Sequence, residues 1–219
     1  MINSELIKKS IQNDKGFTRI YRKKIDILQN DFNDVMIHFG TKIMKERGQE
    51  TDVFVIDNYN RHVIEYFWRW ISANEFPGNK MRGIAILGGY GTGKTLISLA
   101  FARAYYHLTN LQGQSQKISC FRAREVHKYY LQLGLDYFRV RPILIDELAK
   151  ETELINNFGT KSMPMAEILH VRDESGAITF ATANYSQKDL IDIYKSVIGD
   201  RLNVMFNFVE LTGKSWRKI

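Results

Sequence analysis

Eight consecutive residues, Gly88-Gly89-Tyr90-Gly91-Thr92-Gly93-Lys94-Thr95, read G-x-x-x-x-G-K-T. The apolar run Ile84-Ala85-Ile86-Leu87 precedes them and Leu96-Ile97-Ser98-Leu99-Ala100-Phe101-Ala102 follows, so a short buried strand feeds a loop that opens a helix. Glycines at these places let backbone N–H groups converge on an anion without side-chain clash, and the helix start adds partial positive charge. The lysine amine reaches terminal phosphates, and the hydroxyl after it suits magnesium. The ligand so selected is a Mg-nucleoside triphosphate such as ATP. Its expected contacts are Gly88 through Thr95 and the adjoining Leu96, with Lys94 also serving the chemistry and Thr95 the metal.

A second chemical element lies 52 residues past Lys94, where Pro142-Ile143-Leu144-Ile145 runs into Asp146-Glu147. Carboxylates at the end of a buried strand beside a phosphate loop divide two tasks. Asp146 is expected to hold Mg2+ through water, and Glu147 to polarise the water that attacks the terminal phosphorus. A further apolar run over 177–183 ends in Asn184. That amide reads either as the group that holds the water or senses the γ-phosphate, or as a turn starter before Tyr185-Ser186.

Apolar runs of this kind belong to strands covered on both faces, which predicts a three-layer α/β fold around a mainly parallel five-stranded sheet. Periodicity places helices over 96–108, 123–133, 165–174 and 186–194, the last with Ser186 and Asp189 in a capping box. Strands are expected over 117–122, 142–147, 177–184 and 204–211. Upstream, Val53-Phe54-Val55-Ile56 is an apolar stretch. An aromatic helix over 63–73, with Tyr66, Phe67, Trp68 and Trp70, reads as core. Residues 51–219 form the expected main domain. Residues 1–50 are polar with Ile25, Phe32, Met36 and Phe39 at helical spacings and Gly40 or Gly48 as stops. They read as a helical appendage, either a packed surface extension or a docking arm.

With 219 residues, 44% of them hydrophobic, the chain can bury one full core and carry an extension. No apolar run approaches the roughly 18 residues of a membrane span, and no charged-then-apolar leader opens it, so a cytoplasmic protein without a membrane partner is expected. Its single cysteine, Cys120, excludes an internal disulfide and a cysteine metal cluster, and its neighbours Ile118 and Phe121 predict a core position. The net charge of +7 suits a polyanionic partner. Residues 117–141 interleave Lys117, Arg122, Arg124, Lys128, Arg139 and Arg141 with Phe121, Tyr129, Tyr130, Tyr137 and Phe138. Such a stretch suits single-stranded DNA, unless its rings face the core.

The motifs G-G-Y-G-T-G-K-T, I-L-I-D-E-L, T-F-A-T-A-N, D-R-L at Asp200-Arg201-Leu202 and G-K-S-W-R up to Arg217 stand in order over residues 54–217. The sequence thereby resembles the DnaC/IstB group of AAA+ ATPases, which comprises replicative-helicase loaders and transposition helpers. The resemblance implies a homo-oligomer with ATP at subunit interfaces, Arg201 as an arginine finger acting on the neighbour's nucleotide, and Arg217 as a nucleotide-sensing arginine. Arg172 is a weaker candidate for a trans contact. It further implies no C-terminal helical lid after Leu211, an adenine pocket near Ile56 and Tyr59, and DNA and a replicative helicase as partners. An IstB-like helper that directs a transposase, and an ATP-holding switch with negligible hydrolysis, are the other readings.

Overall fold

The computed structural model describes residues 5, 20–49, 52–72, 74–151, 155–157, 160–194, 198–213 and 215. Strand β1 (Gly83–Leu87) is buried along its whole length, and its side chains alternate between two cores, Ile84 and Ile86 in one, Ala85 and Leu87 in the other. A strand dressed on both sides must have helices above and below it. The remaining strands of its sheet are β2 (Ser119–Arg122), β3 (Ile143–Leu148), β6 (Thr179–Ala183) and β7 (Phe206–Glu210). Their order is β2-β3-β6-β1-β7 and every pairing is parallel. Strands β4 (Ile155–Asn157) and β5 (Thr160–Ser162) form a separate antiparallel pair. The expected five-stranded α/β sheet is present, and all of it is parallel.

One face is covered by α1 (Gln29–Glu46), α2 (Arg61–Ile71) and α3 (Lys94–Leu111). The aromatic helix α2 seats Phe67 on Phe101 with ring centroids 4.0 Å apart, and Trp70 meets Phe180 of β6 edge-on at 5.2 Å. Trp70 also donates its indole N–H to the Arg82 carbonyl at 2.7 Å, so the buried ring leaves no polar atom unpaired. Burying each such ring contributes about 1.5–3 kcal/mol. The other face carries α4 (Val126–Leu133), α5 (Pro164–Glu174), α6 (Gln187–Tyr194) and α7 (Gly199–Met205). Helix α6 begins with the expected capping box: the Ser186 hydroxyl accepts from Asp189 N–H at 3.2 Å and donates to its carboxylate at 2.7 Å.

The segment before α2 shares the first core. Ile25, Phe32, Met36 and Ile43 lie in one cluster with Trp70 and Phe101. Ile25 N–H donates to the Ile71 carbonyl at 2.9 Å, and Trp68 reaches the Ile27 carbonyl at 3.0 Å. Gly40 does not end α1. A Cβ there would stand 2.5 Å from the Phe54 ring, so this glycine admits Phe54 against the helix, and the helix runs on to Glu46.

The apolar stretch Val53 to Ile56 is extended chain: Phe54 buries itself and gives its N–H to Thr41 Oγ1 at 3.0 Å, while Val53 and Val55 are exposed. Other expectations give way. Val204 and Met205 complete α7, and the last strand starts at Phe206. Cys120 is exposed, because β2 is an edge strand and the cysteine falls on its open face. In 117–141 the rings turn inward: Phe121 and Phe138 are core, and Tyr129, Tyr130 and Tyr137 pack against it. Lys117, Arg122, Arg124, Lys128 and Arg141 stay exposed. Phe121 and Phe138 are therefore closed to bases, Tyr129, Tyr130 and Tyr137 keep part of their rings open, and the positive charge remains available.

Candidate functional site

All five strands present their C-terminal ends at one edge, and the loops leaving β1, β3 and β6 meet there. The first runs from Gly88 to the start of α3 and needs glycine twice for space. A Cβ on Gly88 would lie 2.2 Å from the Leu211 carbonyl oxygen, and one on Gly91, at φ +77°, would lie 2.1 Å from Ser215 Oγ. The chain after β7 is thus laid against the loop. Lys94 is buried and its ammonium donates to the carbonyls of Gly88 at 2.8 Å and Gly89 at 2.6 Å, while Thr92 Oγ1 donates to Gly89 at 3.1 Å. Tyr90 is exposed at the crest, and the Leu96 side chain packs against the first core.

Asp146 accepts from Thr95 Oγ1 at 2.8 Å and from Thr182 Oγ1 at 2.7 Å, and Thr182 Oγ1 in turn accepts the Glu147 N–H at 2.9 Å. The start of α3, the acid pair and β6 are joined through two threonine hydroxyls, those of Thr95 and Thr182. Pairing of β3 with β6 shifts register between Ile145 and Leu148, and in that bulge Glu147 adopts φ +60°. A bulge re-aims side chains; here it puts two consecutive carboxylates at the same edge. Left-handed backbone costs a residue with a Cβ about 1–2 kcal/mol, and Ala149 repeats it at φ +69°. Ala149→Gly should accordingly raise folding stability by up to about 1 kcal/mol after the glycine's extra chain entropy is counted. Urea titration of the two proteins measures it.

Arg124, just past β2, places its Nε 3.9 Å from the Glu147 carboxylate. Asn184 follows β6 directly, half-buried at the same edge. Thr95 Oγ1 and Asp146 Oδ1, 2.8 Å apart, are hard oxygen donors of the kind magnesium takes when phosphates and water complete its shell. Among the described residues no group of three or more His, Cys, Asp or Glu side chains is placed to hold a metal by itself.

No protein-family model matches the sequence, and no match among curated proteins reaches significance. Solved structures do match. DnaI is 23% identical, with 76% of this chain and 89% of that one covered at a TM-score of 0.51. The DnaC helicase loader is 18% identical over 74% and 93% at 0.53, and a protein from Streptococcus pyogenes serotype M3 described as a primosome component is 18% identical over 77% and 87% at 0.52. The fold is that of the helicase loaders.

On this loader fold the remaining candidates separate. Arg201 is half-exposed on α7 and donates to Asp173 of α5 at 3.0 Å, with His170 Nδ1 3.3 Å away. Among the described residues no hydrogen bond or ion pair joins it to the loop or the acid pair. Arg217 lies outside the described residues; Ser215, two positions earlier, is the one that touches Gly91. Arg172 is wholly buried and cannot meet a neighbouring chain. Its guanidinium donates to Thr179 Oγ1 at 2.8 Å, to the Ile178 carbonyl at 2.6 Å and to the Phe138 carbonyl, and burial pushes its pKa down to about 9. It ties the start of β6 to its flanking layer. Tyr59 packs by Gly213, and His62 Nε2 is 2.7 Å from the Glu210 carbonyl oxygen, so Tyr59 and His62 lie against the end of β7 and the chain after it.

Two groups escaped the sequence reading. Thr182 carried a signal, a hydroxyl, like that of Thr179, inside a largely apolar run, which when buried demands a partner. Lys150, over the rings of Tyr90 and Tyr185, carried none.

Proposed function

We propose that this protein is a Mg-ATP-dependent AAA+ ATPase of DNA replication that loads or remodels a replicative helicase. The observation that carries the reading is the hydrogen-bonded path Thr95–Asp146–Thr182–Glu147, which sets the acid pair against the phosphate loop. The N–H groups of residues 89–95 and the Lys94 ammonium take the triphosphate charge. Thr95 and, through water, Asp146 hold Mg2+, which when bound supplies Lewis-acid neutralisation of the phosphate oxygens. Glu147 accepts the proton of the attacking water, and Asn184 orients that water. Ile56 and Tyr59 enclose the base, and Arg217 reads the nucleotide from the chain end. Arg201, free of its own chain's site, serves a neighbour's nucleotide and makes hydrolysis depend on assembly.

Residues 1–50 are assigned to meeting the client, with residues 51–219 as the ATPase domain. The exposed Tyr21 and Leu28 offer apolar surface on that arm. The exposed cations of 117–141 contact DNA phosphates. The test is capture by the ATP-loaded protein of a hexameric replicative helicase against a transposase. ATP-dependent retention of the helicase supports the loader; retention of the transposase alone would establish the helper instead.

The slow ATP-holding switch has one observation in its favour, the Arg124 guanidinium beside Glu147. The ion pair holds that carboxylate toward Arg124 in competition with the attacking water. Exposed pairs are worth about 0.2–1 kcal/mol, so Arg124→Ala should raise steady-state turnover by up to about fivefold. Unchanged turnover in a phosphate-release assay would remove that restraint.

A further inference from the structure

The Lys150 ammonium is 5.3 Å from the ring centroid of Tyr90 and 5.3 Å from that of Tyr185. Those rings belong to two different loops of the site: Tyr90 is the crest of the phosphate loop, and Tyr185 adjoins Asn184. Tyr90 first and then Tyr185 raise the pKa of this ammonium above the usual lysine value. A surface lysine ordinarily keeps its rotamer freedom in water; this one is fixed between two aromatic faces.

The backbone explains how it gets there. Glu147 and Ala149 both lie in the left-handed region, and Lys150 N–H closes a turn onto the Glu147 carbonyl at 3.0 Å. The chain is thereby folded back over the phosphate loop. Its next residue is pinned from the other side, where the buried Tyr194 of α6 donates its hydroxyl to Glu151. The segment carrying the acid pair is thus anchored at both ends.

We infer that Lys150 is a positioning residue, which clamps the crest of the phosphate loop to the Asn184 loop and registers both on Glu147. The inference rests on reading the site as one for ATP hydrolysis. Its action is through Tyr90 and Tyr185, since Lys150 itself touches neither the loop's phosphate-binding N–H groups nor the acid side chains in any described hydrogen bond.

The test compares Lys150→Met, which keeps length and loses charge, with Lys150→Arg, whose guanidinium also sits over rings. Lys150→Met should lower kcat for ATP about tenfold or more, as misplaced reacting groups do, with KM shifted less than about twofold. Lys150→Arg should recover most of the loss. Adding Tyr90→Leu to Lys150→Met should cost nothing more, because one clamp cannot be broken twice. Hydrogen exchange without nucleotide gives a readout independent of turnover. Amides of residues 89–91 and 184–186 should exchange several-fold faster in Lys150→Met than in wild type. Unaltered exchange, an unaltered kcat, or a fully additive double variant would overturn the clamp. A wild type with no turnover at all would refute the ATPase reading, and exchange alone would then decide the clamp.

Discussion

Glu147→Gln should still bind Mg-ATP and should hydrolyse it about 10²–10⁴-fold more slowly, the usual contribution of a positioned general base. The substitution keeps the shape and the backbone N–H that donates to Thr182 Oγ1 at 2.9 Å, so the bulge and the Asp146 contacts survive. Only the carboxylate proposed to accept the water's proton is lost. Asp146 accepts from both Thr95 and Thr182 and is the residue proposed to serve the metal, so it is not expected to stand in. Equilibrium binding of a fluorescent ATP analogue and single-turnover hydrolysis separate the two steps. Equal turnover in the variant and wild type would take Glu147 out of the mechanism.

Arg201→Ala should bind nucleotide almost normally and lose about 10³-fold or more in turnover, the range associated with an arginine that stabilises charge on a transferring phosphoryl group. Arg201 is half-exposed and bonded to Asp173 on the outer layer, where a neighbouring chain is proposed to meet it. Mixed with Lys94→Ala subunits, the variant should regain measurable hydrolysis. An Arg201→Ala chain supplies an intact loop, and its Lys94→Ala neighbour supplies the guanidinium. Failure of the mixture to recover any turnover would place Arg201 outside the site.

Chemistry that is contiguous along the chain was readable before any folding. G-x-x-x-x-G-K-T and I-L-I-D-E-L each carry strand and function within a few residues, and the observed β1 and β3 put them at one edge. What the chain order does not display is which strands become neighbours. Thr182 joins Asp146 to Glu147 only because β6 lies between β1 and β3. Lys150 meets Tyr90 and Tyr185 only because two left-handed residues fold its loop back. Facing is equally hidden. Arg172 and Arg201 are the same residue type on adjacent helices, yet one is sealed under β6 and the other is open to solvent. The basic and aromatic residues of 117–141 looked like a single-stranded DNA surface by composition, and packing divided them: Phe121 and Phe138 are sealed in the core, Tyr129, Tyr130 and Tyr137 are half-covered, and Lys117, Arg122, Arg124, Lys128 and Arg141 point outward.

Calorimetric titration of wild type and Lys94→Ala with ATP, with and without magnesium, puts the most direct question to the site. One ATP per chain should bind wild type in a magnesium-dependent manner, and loss of the buried ammonium should weaken it by about 10²-fold, in keeping with removal of one member of a desolvated charged contact. Magnesium-independent binding, or equal affinity in the two proteins, would contradict a triphosphate cradle built from residues 88–95 and Asp146.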